Sequence, residues 1–171
     1  MADSKETTGQ PFVISRVFDA PRDLVWKAWT ETERMLKWWG PKGCSVLVAD
    51  IDLRPGGRYH YCMRMPDGTE MWGKFIYREV APPERLVFVN SFSNKDGNIT
   101  RHPFSAEWPL ELLSTVTFVE KGKGTEVTVT WLPINASDTE RKVFDASHAS
   151  MQGGWGGTFD RFVTYLADEQ A

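Results

Sequence analysis

The sequence predicts an α+β domain: a curved antiparallel sheet of seven strands gripping a long C-terminal helix, with two short helices after the first strand. Three observations predict it. Apolar and polar residues alternate in short runs between Phe12 and Leu132, the period of half-buried strands. Turn signals alone separate most of these runs, with no helical stretch between them, so successive strands pair antiparallel. From about Ser137 onward the period becomes helical and holds almost to the end. A sheet with one apolar face must be covered, and this last helix is the element available to cover it.

The elements follow in order. MADSKETTGQ, residues 1–10, is polar and reads as a flexible tail ahead of a single domain at 11–168. PFVISRVF is a strand, with Phe12, Ile14 and Phe18 on one face. Asp19 before Ala20-Pro21 signals a helix start, with Asp19 as cap and proline in the first turn, where its missing N–H is harmless. PRDLVWKAW turns Val25, Ala28 and Trp29 inward. Thr30 to Glu33 spells a capping box for a second short helix, ERMLKWW, which Gly40-Pro41 stops.

CSVLVADIDL and RYHYCMRM are strands joined through the turn Arg54-Pro-Gly-Gly57. In the second, Tyr59, Tyr61, Met63 and Met65 share the face expected to look inward. Pro66-Asp-Gly-Thr69 is a hairpin turn, EMWGKFIYREV a strand, Ala81-Pro-Pro-Glu84 a turn and ERLVFVNSF a strand. The segment 93–109 has no period and contains Asp96-Gly97, Pro103 and Pro109, so it reads as a long loop. LELLSTVTFVEK and TEVTVTWL close the sheet around the turn Gly122-Lys-Gly124.

The final helix is expected to start near Asn135 or Ser137 and to run as one rod from Asp138 to Ala167. Phe144, His148, Met151, Trp155, Phe159, Phe162 and Leu166 fall on one stripe, in phase straight through Gly-Gly-Trp-Gly-Gly. Glycine costs a helix about 1 kcal/mol relative to alanine. The glycine segment is therefore a helix carried by its buried aromatic stripe, a flex point over a pocket, or a bare surface for a second subunit.

Composition narrows the function. The net charge is −3 with both signs interspersed, unlike the basic face of a nucleic-acid binder. No apolar run is long enough to span a membrane, and the N-terminus lacks the apolar core of a secretory leader. Cys44 and Cys62 form no CxxC motif, so two reduced thiols and a cytoplasmic location are expected. There is no GxSxG, no P-loop and no GxGxxG. His60, His102 and His148 stand outside metal-ligand spacing. No catalytic residue, cofactor or metal is assigned.

FDAPRDLVWKAWTETERMLKWWGP, DLRPGGRYHYCMRMPDGTEMWGKF, REVAPPERLVF and the Gly-Trp ahead of FDRFVTYL together resemble the activator of heat-shock protein 90 ATPase homologues. That family lies within the START-like, SRPBCC superfamily of helix-grip folds, the superfamily of the birch-pollen allergen Bet v. The resemblance spans about Phe12 to Leu166. It implies an internal cavity for a hydrophobic or amphipathic small molecule. Its expected lining is Trp29 and Trp39 from the short helices, Tyr59, Tyr61 and Met63 from the ladder, and Phe75 and Phe88 from the next strands. The last helix would add His148, Met151, Gln152, Trp155 and Phe159. Two alternatives are a co-chaperone-like module that binds a heat-shock protein 90 homologue, and a polyketide cyclase-like enzyme using His148 or a tyrosine.

Overall fold

The computed structural model describes residues 10–103 and 105–171. Of the tail expected at 1–10, only Gln10 falls among them.

Strand β1 (Phe12–Phe18) buries Phe12, Ile14 and Phe18 and exposes Val13 and Val17, as a period of two requires. Helix α1 (Arg22–Thr30) buries Val25, Ala28 and Trp29. Its cap differs from expectation. Pro21 holds the N-cap position, with φ −68° and ψ 150°, and no side chain caps the helix. The ring presets φ, so the turn forms without help from Asp19.

Helix α2 (Thr32–Trp38) also lacks the expected capping box. Thr30 is still the last residue of α1, and its hydroxyl donates back to Trp26 O at 2.8 Å. Local back-bonding has taken the group that would have capped α2. Gly40 then ends the segment at φ +100°. The left-handed region favours glycine there, and the Met63 sulfur leaves no room for a Cβ.

The remaining strands are β2 (Ser45–Ile51), β3 (Arg58–Arg64), β4 (Glu70–Ala81), β5 (Arg85–Ser93), β6 (Ile99–Thr100), β7 (Glu111–Lys121) and β8 (Gly124–Ile134). They form one antiparallel sheet in the order β1-β8-β7-β5-β4-β3-β2. The path has the seven strands expected. The added β6 pairs Ile99 and Thr100 with Ser93 and Phe92, where β7 has stopped at Asn90. The segment expected to be loop throughout thus begins as a hairpin. Asn94 Oδ1 accepts from the amides of Asp96 and Asn98 at 3.0 Å, which builds the turn without any apolar period.

The C-terminal rod is two helices, α3 (Asp138–Ala146) and α4 (His148–Gln170). Ser137 caps α3 in a full capping box with Glu140, as its sequence suggests. The interruption is at Ser147, not at the glycines. Ser147 has ψ 3°, and its hydroxyl donates to Val143 O at 2.8 Å, a back-bond that bends helices. Gly153 to Gly157 are helical throughout.

The core lies between the sheet and α4 and is closed at one end by α1 and α2. Phe18 meets Phe159 and Phe162 edge-on at 5.1 and 4.9 Å, and Trp29 meets Trp38 at 5.1 Å. No helix of the described residues is long and apolar enough to cross a membrane.

Candidate functional site

The core is filled at the α1–α2 end and opens at the other. There the inner sheet face, α4 and residues 102, 105 and 108–110 border a pocket of about 410 Å³, within the range of small-molecule sites. Its wall on the sheet side comes from Tyr61, Met63 and Met65, from Met71 and Phe75 of β4, and from Asn90 and Phe92 of β5. Trp131 of β8 and Leu112 of β7 extend that wall. Helix α4 contributes Met151, Gly154, Trp155 and Thr158, one face at helical spacing. Trp39, Gly40 and Pro41 close one side, and His102, Ser105 and Trp108 another.

Trp155 sits at the junction between the filled and open parts. It is 7% exposed, lies parallel to Trp29 at 6.1 Å, and meets Trp39 and Trp131 edge-on at 5.8 and 5.7 Å. Trp39 also packs on Phe75 at 5.5 Å. Its position is fixed from behind by Arg161, whose Nη1 donates to the carbonyls of Trp39, Gly40 and Pro41 at 3.3, 3.1 and 3.0 Å. One guanidinium thereby ties α4 to the end of α2. Burial draws the Arg161 pKa below its ordinary value.

On the opposite side Arg101 Nη1 donates to Trp108 O at 3.3 Å and to Glu140 Oε2 at 2.5 Å. The Arg101 guanidinium, with the Ser137 amide, holds the Glu140 carboxyl below the usual range. Its other oxygen, Oε1, accepts from Ser137 N. A loop that lines the pocket is so fastened to the cap of α3.

The polar groups are few. Tyr61 lies over Gly73, its cross-strand partner, so closely that a Cβ there would meet its hydroxyl. Burial pushes its phenol up to about 12, so at neutral pH it is a neutral donor. The Trp39 indole N–H is near enough to oppose that rise. It makes no full hydrogen bond among the described residues. Asn90 Oδ1 accepts from the fully buried Ser114 hydroxyl, which leaves the amide NH₂ as the end available to the pocket. Burial lowers the His102 pKa and keeps its imidazole neutral.

Of the residues expected to line a cavity, Trp39, Tyr61, Met63, Phe75, Met151 and Trp155 come together around the pocket. Trp29, Tyr59, Phe88 and Phe159 lie in the packed core instead, each at most 2% exposed. Phe88 is covered by Phe75, their rings stacked at 3.9 Å. His148 opens α4 outside the pocket lining. Its Nε2–H donates to Gln10 O at 3.1 Å, and its ring packs on Phe12 and Phe144. Gln152 is exposed on the far side of the helix.

Sequence reasoning missed Asn90, Trp131, Trp108 and His102. Period two along TEVTVTWL, counted inward from Val127 and Val129, points to Trp131. No such signal exists for Trp108 and His102, which lie in irregular chain.

The family model for "Activator of Hsp90 ATPase homolog 1-like protein" matches residues 19–167. The chain belongs to this family. Among curated proteins, no sequence match is found. Among solved structures, this family member is similar to the Ms6760 protein of Mycobacterium smegmatis, with 26% identity, 91% of this chain and 90% of that chain covered, and a TM-score of 0.72. It is similar in fold to a protein of Nitrosomonas europaea, at 24% identity, 94% and 96% coverage and a TM-score of 0.74. A protein of Arthrobacter aurescens also shares the fold, at 23% identity, 92% and 86% coverage and a TM-score of 0.76.

Proposed function

We propose that this family member binds a hydrophobic or amphipathic small molecule between its sheet and α4, and does so without catalysis. The observation that carries this reading is the open pocket of about 410 Å³ beside Trp155, walled by methionine and aromatic side chains. Each ligand methylene buried there contributes about 0.8 kcal/mol, so about ten of them offset the several kcal/mol lost on association. The methionines supply a wall that adapts its shape. Both cysteines are free thiols, which agrees with a cytoplasmic setting.

Native mass spectrometry of the gently purified protein tests the reading. A co-purified small molecule is expected, and Gly154→Phe, which directs a ring into the pocket, should release it. A protein that never carries a ligand, together with a filled pocket in a crystal structure, would refute it.

A second reading follows from the name of the matching family, which concerns activation of a chaperone ATPase. It predicts that excess protein stimulates the ATPase of a heat-shock protein 90 homologue. An unchanged turnover rate would remove it.

A further inference from the structure

The pocket is notable for what its wall is made of. The chain is one-quarter charged, yet no Asp, Glu, Lys or Arg side chain is among the described residues that line it. Nearby charges are turned to other tasks: Arg161 to three backbone carbonyls, and Arg101 to Glu140. The two titratable side chains in the wall, Tyr61 and His102, are both neutral at pH 7, and burial moves each further from its charged form. An ionised ligand group brought here would lose its hydration and meet no counter-ion, at a cost well above that of a neutral polar group.

What the wall does offer is donors. The Trp39 indole nitrogen is buried out of reach of the pocket and lies beside the Tyr61 hydroxyl, which can accept from it and keep its own proton to donate. The Asn90 NH₂ end is freed by the Ser114 hydroxyl bonded to Oδ1, and the Tyr61 hydroxyl is near Trp39.

Resting on the small-molecule reading above, we infer that the ligand is an uncharged amphiphile, an aliphatic or aromatic body carrying an acceptor oxygen such as a carbonyl or ether. The oxygen is met by the donors of Tyr61 and Asn90, and the body lies along Met63, Met71 and Trp155. The same wall disfavours a carboxylate or an ammonium placed inside it.

The test uses three probes of equal chain length: dodecan-2-one, dodecanoate and dodecylammonium, titrated calorimetrically into the full chain at pH 7. The ketone should bind at least tenfold more tightly than either ion. An ion that binds as well as the ketone overturns the inference while leaving the pocket reading intact. If none of the three binds, the pocket reading fails and takes this inference with it. Asn90→Leu, checked for an unchanged circular dichroism spectrum, should weaken the ketone about tenfold without improving either ion. Unaltered ketone affinity in that variant would overturn the assignment of Asn90 as donor.

Discussion

At the scale of single residues, the site is shaped by what is missing as much as by what is present. Gly73 exists to admit Tyr61: an added Cβ would lie 2.4 Å from the phenol oxygen and 2.6 Å from Cζ. Gly73→Ala should therefore displace Tyr61 and cost about 1–3 kcal/mol, read as a lower midpoint in urea denaturation. The tyrosines make a second prediction. Burial raises the phenols of Tyr59, Tyr61 and Tyr77 above the ordinary value of 10, that of Tyr61 to about 12. A raised pKa in the folded state means that the unfolded chain loses these protons first. The stability they contribute is complete below pH 10 and declines as pH rises toward 12 and beyond. Melting temperature measured from pH 8 to 12 should fall steeply above pH 10, and absorbance titration should show these phenolates appearing only as the protein unfolds. The period-two reading put Tyr61, Met63 and Met65 on the inner face because alternation reports which face a side chain takes. It also put Tyr59 there, since alternation says nothing about how far along the face the packed core ends and open space begins.

At the scale of elements, α4 shows how packing outweighs propensity. A Cβ added at Gly153, Gly154 or Gly156 meets nothing within 4 Å, so no neighbour demands glycine there. Gly153→Ala should stabilise the protein by about 1 kcal/mol and raise Tm by about 2–4 °C in calorimetry, with ligand affinity unchanged because Gly153 does not line the pocket. The helical phase through Gly-Gly-Trp-Gly-Gly was legible in the apolar stripe. The break at Ser147 was not, because it depends on which way one hydroxyl turns. Likewise Thr30 spent its hydroxyl on Trp26 O, a choice that spacing does not encode. Arg161 carries a further prediction. Arg161→Ala removes three charge-assisted bonds to the 39–41 carbonyls, which should cost about 1.5–3 kcal/mol. Hydrogen exchange should then show faster opening around Gly40 while the strands stay protected.

At the scale of the whole molecule, the order of strands places β1 and β2 at opposite edges and lets α4 cover the inner face between them. The antiparallel run of strands and the covering helix were readable before any coordinates; the pairing of β1 with β8 was not. The pocket needed more. Its outer wall is the segment 101–110, which lacks period and is held in place by Arg101 and Glu140 across 39 residues. Glu140→Gln should loosen that wall and speed ligand exit more than it lowers Tm, measurable as a higher dissociation rate in stopped flow. The tryptophans carry a consequence of their own. Trp29, Trp38, Trp39, Trp131 and Trp155 form one chain of indoles, each within 6.1 Å of the next. Rings this close exchange excitation, so light absorbed by any one of them samples all five. Three of the five, Trp39, Trp131 and Trp155, border the pocket, so a molecule bound there as proposed should change the emission of the whole cluster.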